Sequence, residues 1–164
     1  MNEPELDPQE QCRRARALAG QGRADEALQV YDRLLQAFPD FARGHADRGT
    51  TYAMLGRYEP ALRDLDQAMA MGLRDGWLLI TYASVLLGQR RFDESLRYFD
   101  LAIELEPDSP MAYNNRATLH IERGDRAAAI ADLERCLDFS LDDHVRRMLE
   151  RRLQGVRDAT PQEG

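Results

Sequence analysis

The chain repeats itself every 34 residues, and this period constrains its fold more than any other feature of the sequence. Turn residues, small residues and large apolar residues all recur at this step. The recurring sets are Gly22, Gly56, Arg90 and Gly124; Ala27, Ala61, Ser95 and Ala129; Tyr31, Leu65, Phe99 and Leu133; and Pro39, Leu73, Pro107 and Leu141. A period of this length is typical of a helix–turn–helix unit that buries its apolar face by stacking on copies of itself. It therefore predicts function on a surface rather than in a catalytic pocket.

The period divides the chain into four units followed by one extra helix. The units cover residues 8–41, 42–75, 76–109 and 110–143, and each is predicted to hold two helices. Residues 144–157 are predicted to form a helix that caps the stack, with arginines on its outer side. Its apolar stripe consists of Val145, Met148, Leu149, Leu153 and Val156. The acidic segment 1–7 and residues 158–164 are expected to be disordered tails.

Residues that end or begin helices fall at the unit boundaries. Glycine after the first helix of a unit favours the left-handed backbone that ends a helix. Arg90 takes this place in the third unit, so that turn is predicted to have a slightly different form. The predicted N-caps are Asp7, Asp40, Asp75, Ser109 and Ser140.

Two pairs of opposite charges are predicted to join the two helices within a unit, in a structural role. They are Arg48 with Asp64 and Arg116 with Asp132. In the third unit the same two places hold Tyr82 and Tyr98.

Two segments, HADRGTTYAMLGRYEPALRDLDQAMAMG and AYNNRATLHIERGDRAAAIADLERCLDFS, resemble tetratricopeptide repeats. The resemblance covers about residues 8–143, with departures at Arg90, Ser95 and His120. It implies an all-α fold, an α-solenoid of four stacked helix–turn–helix repeats plus the C-terminal capping helix. It also implies a concave groove that is lined by the first helix of each pair and receives a peptide or a partner helix.

Composition argues against several classes of function. A net charge of −7 disfavours binding to nucleic acid or to an anionic membrane, since both need a basic surface. No apolar run is long enough to cross a membrane. All 22 basic residues are arginine, which indicates a GC-rich bacterial genome. Cys12 and Cys136 lie in the first and fourth units, too far apart for a disulfide, which favours a reducing cytoplasm. Cys136 is expected to be buried and Cys12 exposed.

The residue types that carry catalysis or bind metals do not form a recognisable motif. His45, His120 and His144 each lack a second ligand at metal-binding spacing, and His120 is expected to be a packed side chain. The sequence contains no phosphate-binding loop and no nucleophile elbow. We therefore expect no catalytic residue, no metal and no cofactor.

The resemblance assigns a set of partner-binding residues to the groove. They are Arg13, Arg16, Arg43, Asp47, Thr50, Met54, Trp77, Ile80, Ser84, Asn114, Asn115 and Thr118. The face starts basic, becomes apolar around Trp77 and ends rich in amides. Arginine binds carboxylates through paired donors, tryptophan can anchor an apolar segment, and asparagine can bind a peptide backbone. The expected partner is a protein segment with an acidic end and an apolar centre, and self-association stays open.

One subtype of the family binds its partner through known residues, and their presence can be checked in this sequence. Co-chaperones that clamp the C-terminal carboxylates of heat-shock chaperones need particular basic and amide residues in the first and third repeats. Here those places hold Cys12, Arg16, Trp77 and Thr81, so the clamp is absent.

The leading hypothesis is a cytoplasmic, non-catalytic scaffold or adaptor that binds a partner in its groove. One alternative is a secretion or assembly chaperone built from the same kind of repeat. A second alternative is an enzyme or a metal sensor, against which the lack of paired catalytic groups argues.

Overall fold

The computed structural model describes residues 7–159, and within this range the chain is helical throughout, with no strand. The helices are α1 (Pro8–Gly20), α2 (Ala24–Ala37), α3 (Ala42–Met54), α4 (Tyr58–Ala70), α5 (Gly76–Gly88), α6 (Phe92–Leu105), α7 (Pro110–Arg123), α8 (Arg126–Leu137) and α9 (Asp143–Asp158). They form four helix pairs followed by a single helix. This confirms the predicted all-α class, four helix–turn–helix repeats plus a capping helix.

The predicted tails fall almost entirely outside the described residues. At their inner edges, Asp7 caps α1 and Asp158 is the last residue of α9.

The turn inside each repeat has the same backbone form, including the one that lacks glycine. Gly22, Gly56 and Gly124 have φ of +78°, +67° and +76°, and Arg90 has φ of +59°. In the third repeat the Arg91 amide donates to the Leu86 carbonyl at 2.9 Å. The other three repeats make the equivalent bond at 2.8–2.9 Å. The prediction that Arg90 gives a different turn is therefore wrong, because the same hydrogen bond closes the turn of the helix pair with Arg90 in the left-handed conformation that it disfavours.

Three of the five predicted N-caps occupy the capping position. The Asp7 carboxylate accepts from the Gln9 amide at 2.9 Å, and the Asp75 carboxylate accepts from the Leu78 amide at 2.8 Å. Ser109 is the N-cap of α7, although its side chain makes no capping bond.

The predicted caps Asp40 and Ser140 are wrong by one and two residues. The helix α3 starts at Ala42, so that Phe41 is its N-cap. The N-cap of α9 is Asp142, whose carboxylate accepts from the amides of residues 144 and 145 at 2.9 and 3.0 Å. An aspartate at the correct distance from the first turn outcompetes a serine two residues earlier.

The described chain divides into two compact units, one ending at Arg74 and one starting at Asp75. We call them unit 1, with α1–α4, and unit 2, with α5–α9. Small residues sit where paired helices cross, as predicted. Ser95 is fully buried, and its hydroxyl donates to the Ala83 carbonyl at 2.7 Å. A Cβ on Gly49 would lie 3.0 Å from Leu65 and 3.1 Å from the Ala61 carbonyl, so a side chain there would require these neighbours to shift.

The two predicted ion pairs are present, and each has a third member. Arg48 binds both oxygens of Asp64 at 2.7 Å and also reaches Asp32 of the preceding repeat at 2.8 Å. The corresponding triad in unit 2 consists of Asp100, Arg116 and Asp132, with bonds of 2.6–2.9 Å. Each arginine therefore also joins its own repeat to the one before it. Tyr82 and Tyr98 stack at 4.3 Å between centroids where the third repeat lacks a pair.

Both cysteines are buried and free, so the expectation that Cys12 is exposed is wrong. Cys12 lies in the core of unit 1 between α1 and α2, next to Tyr31. Burial, with a smaller contribution from Asp47, raises the pKa of the Cys12 thiol to about 12. Burial also raises the pKa of Cys136 to about 11, so both thiols are protonated and unreactive at neutral pH.

Candidate functional site

The three predicted basic residues of unit 1 come together around one pocket at the starts of α1 and α3. The pocket has a volume of about 340 Å³ and is lined by Gln9, Cys12, Arg13, Arg16, Phe41 and Arg43. We call it the arginine pocket. Arg13 and Arg16 lie one turn apart on α1, and Arg43 follows the first residue of α3. The resemblance had placed these three arginines on one face, and the structure brings them together around one opening.

Asp47 lies beside this pocket rather than on its surface. Its side chain is almost fully buried, and its carboxylate approaches the Arg16 guanidinium at 3.5 Å. The same carboxylate contributes to the raised pKa values of Cys12 and Tyr31, after burial itself. In this arrangement Asp47 can orient Arg16, but it leaves little surface for a partner.

The other two predicted residues of unit 1 differ in exposure. Thr50 is half-buried, and its hydroxyl donates to the Ala46 carbonyl at 2.9 Å within α3. Met54, the last residue of α3, is well exposed. Of these two, Met54 alone presents a side chain that a partner could bury.

In unit 2, Trp77 is exposed at the start of α5 on a firmly held backbone. The Gly76 amide donates to the Glu106 carboxylate at 2.9 Å, and Asp75 caps the same helix. A Cβ at position 76 would overlap the Glu106 carboxylate, so a side chain there would displace that carboxylate from the Gly76 amide. Trp77 therefore projects from a fixed helix start.

Ile80 and Ser84, also predicted for the groove, are mainly structural in unit 2. Ile80 is buried in a core cluster with Leu79 and Phe99. The Ser84 hydroxyl is half-buried and donates to the Ile80 carbonyl at 2.8 Å.

The amide-rich end of the predicted face is covered in part by α9. The Arg152 guanidinium donates to Oδ1 of Asn114 at 2.5 Å and to the Thr118 hydroxyl at 2.7 Å. Asn114 also approaches Oδ1 of Asn115 with its amide nitrogen at 3.5 Å. Burial lowers the pKa of Arg152, because the charged guanidinium is partly removed from water where it packs against α7. Asn114 and Thr118, which were predicted to bind a partner, thus accept hydrogen bonds from Arg152 of the same chain.

Sequence reasoning missed one exposed apolar residue of unit 2, Met111, and assigned two others, Val145 and Met148, to the covering stripe of the last helix, although both are exposed. Met111 and Val145 follow Trp77 at steps of 34 residues, and Met148 lies one turn after Val145. We call Trp77, Met111, Val145 and Met148 the apolar strip. The period could have found Met111 and the exposed position of Val145, because it places both in the first turn of a helix, as it does Trp77.

A second pocket of unit 2, of about 350 Å³, was also not predicted. It is lined by Arg90, Arg91, Phe92, Asp93, Glu94 and Arg123. Its charges are largely matched within the pocket, since Arg91 pairs with Glu94 at 2.7 Å and Arg123 with Asp93 at 2.9 Å.

Neither a membrane span nor a metal centre is found in the part of the chain that the structure describes. Among residues 7–159 no helix is both long and apolar enough to cross a bilayer. The same residues contain no group of three or more His, Cys, Asp or Glu side chains arranged to hold a metal ion. The half-buried His120 lies 3.9 Å from both Asp125 and Asp132.

Comparison with protein families decides what kind of repeat this is. Two tetratricopeptide repeat family models match the chain, one over residues 12–74 and the other over residues 84–154. The chain belongs to the tetratricopeptide repeat family. Proteins of this family generally mediate protein–protein interaction, and the repeat is generally a non-enzymatic scaffold.

Relatives and solved structures agree with this assignment. Human tetratricopeptide repeat protein 6 is 25% identical over 71% of the chain, and human DnaJ homolog subfamily C member 7 is 26% identical over 90%. The chain spans 23% and 34% of the length of these two relatives. The crystal structure of a thermophilic tetratricopeptide repeat protein from Thermus thermophilus has a TM-score of 0.81 at 20% identity, covering 93% of this chain and 84% of that one. At this identity the likeness shows the fold.

Proposed function

We propose that the chain is a non-catalytic cytoplasmic scaffold that binds a segment of a partner protein on the first helices of its repeats. The observation that carries the proposal is the arginine pocket, where three arginines line one opening. The family's general role in protein–protein interaction supports the same function.

The arginine pocket favours an acidic segment of the partner. Guanidinium groups bind carboxylates through two parallel donors, and three of them around one opening suit more than one carboxylate. Arg13 already approaches the Asp7 carboxylate at 3.9 Å, with both side chains more than half exposed. An exposed pair of this kind is worth about 1 kcal/mol or less, so an incoming carboxylate can replace it.

Trp77 favours an apolar segment of the same partner. Exposed tryptophan on a rigid backbone is a common anchor, because it buries a large area at a small cost in conformational entropy. The proposed partner therefore has an acidic part and an apolar part, recognised by unit 1 and unit 2 respectively. The two buried free thiols support a reducing compartment.

The test is affinity purification with mass spectrometry, using Arg16→Glu and Trp77→Ala separately and together. We expect each single change to weaken recovery of a specific partner and the double change to abolish it, with unchanged helical circular dichroism. The matched controls are Arg63→Glu and Leu101→Ala, at exposed positions on the second helices of their repeats. Full recovery by the double variant, or equal loss in the controls, contradicts the proposal.

A further inference from the structure

The apolar strip is a feature of unit 2 that packing within the unit does not explain. Its members Trp77, Met111, Val145 and Met148 are 45%, 39%, 36% and 51% exposed. The positions of the first three recur at the 34-residue step, so they lie in the first turns of α5, α7 and α9. In unit 1 the same position holds Gln9 and Arg43. The fold therefore accepts polar residues there, and the apolar ones in unit 2 need another reason.

The strip continues onto α9, the capping helix. Leu149 and Leu153 are the buried residues of α9, and they pack against the core of unit 2. Val145 and Met148 were predicted to belong to the same covering stripe, but they remain exposed. They share a helix face with Arg152, which binds Asn114 and Thr118. That face therefore borders α7, where Met111 lies, and α7 in turn contacts α5, where Trp77 lies.

The border of the strip on α9 is basic. Arg147 and Arg151 are exposed beside Met148, and α9 carries five arginines against three acidic residues. A chain with a net charge of −7 thus presents a local positive surface next to exposed apolar side chains. Like charges would oppose the pairing of α9 with α9 of a second copy, whereas an acidic partner would be attracted.

We propose that the apolar strip docks an amphipathic α-helix of a partner protein whose apolar stripe is bordered by Asp and Glu. The inference rests on the proposed partner-binding function and adds the capping helix to the binding surface. Trp77 and Met148 supply the apolar contacts, and Arg147 and Arg151 select the charge of the partner. Arg152 holds α9 against α7 and so keeps the strip continuous.

The single tryptophan of the chain makes the strip directly observable. The probe is a synthetic peptide of about 18 residues, five helical turns, with Leu on one face and Glu beside it. Burial of Trp77 by this peptide is expected to move its emission to shorter wavelength, with an affinity that falls as salt is added. Matched peptides carry Lys in place of Glu, or Ser in place of Leu, and both are expected to bind at least about tenfold more weakly.

A pair of protein variants tests the position of the site. Met148→Glu places a negative charge in the strip and is expected to weaken binding of the acidic peptide by about tenfold or more. Leu101→Glu makes the same change at a similarly exposed residue of α6 and is expected to leave binding unchanged.

Several outcomes would overturn the inference. These are an unchanged Trp77 emission, equal binding of the Lys peptide, or equal loss in Met148→Glu and Leu101→Glu. A Trp77 shift that depends on protein concentration without peptide, together with dimers in sedimentation, would assign the strip to a second copy. If the peptide fails but Arg16→Glu still weakens partner capture, the scaffold function stands and the docking helix does not.

Discussion

Arg90 shows at the scale of one residue how the repeat overrides a side chain's own preference. Its φ of +59° belongs to the left-handed region, and the other three turns place glycine there. This conformation costs a non-glycine residue about 1–2 kcal/mol. The Arg90 guanidinium lies 5.1 Å from the centre of the Phe92 ring, a contact worth about 0.5–1 kcal/mol that offsets part of the strain.

Arg90→Gly is expected to stabilise the protein by about 0.5–1 kcal/mol, because relief of strain exceeds the lost cation–π contact. Urea unfolding followed by circular dichroism measures the change. Gly124→Ala, which introduces a side chain at the equivalent turn, serves as the opposite control and should destabilise by about 1 kcal/mol. A loss of stability in Arg90→Gly would mean that the Phe92 contact outweighs the strain.

At the scale of one element, α9 ends the stack. Leu149 and Leu153 cover the last repeat, while Arg146 donates to the Leu137 and Phe139 carbonyls at 3.2 and 3.3 Å and so satisfies the end of α8. Arg151 stands where the period puts small residues in the earlier first helices. A large charged side chain at this position differs from the small residues that let the helices of a pair approach closely in the four repeats.

Leu153→Ala is expected to cost about 2–4 kcal/mol, because it leaves a cavity between α9 and the last repeat. Met148→Ala is the matched control on the same helix and should change stability by about 0.5 kcal/mol or less, since Met148 is half exposed. Thermal unfolding measures both. Equal effects of the two changes would contradict the assignment of Leu153 to the cap and Met148 to the surface.

At the scale of the whole molecule, some features recur every two repeats rather than every repeat. The triad of Asp32, Arg48 and Asp64 lies 68 residues before that of Asp100, Arg116 and Asp132, and each triad joins two repeats within one unit. Buried clusters lie within unit 1 and within unit 2. Each triad thus bonds a pair of repeats that belongs to one compact unit.

Leu34→Ala, in the core of unit 1, is expected to destabilise that unit more than unit 2, because repeat proteins gain stability from local contacts. Circular dichroism reports both units, whereas Trp77 emission reports unit 2 alone. The midpoint of urea unfolding should therefore fall further by circular dichroism than by fluorescence. Leu119→Ala, equally buried in unit 2, should shift the fluorescence midpoint more. Coincident shifts in both variants would mean that the chain unfolds as one cooperative block.

Most of the fold could be predicted from the sequence. The helix pairs, their turns, the small crossing residues and the paired charges all recur at fixed spacing, and each depends on contacts within one repeat. The shared face of Arg13, Arg16 and Arg43 was implied by the resemblance to tetratricopeptide repeats, and the structure places them around one pocket. The assignment of those residues to a partner stays a prediction, as it does for Trp77.

The sequence by itself determined which residues share a helix face, because helical periodicity and the 34-residue step set the direction of each side chain from its own axis. The tertiary structure alone decided what covers each face. In that structure Cys12 is buried, and Asp32 and Asp100 join the two ion pairs. Arg152 donates hydrogen bonds to Asn114 and Thr118. Val145 and Met148 remain exposed. The physical reason is that burial depends on the neighbour that packs against a face, and that neighbour comes from a different part of the chain.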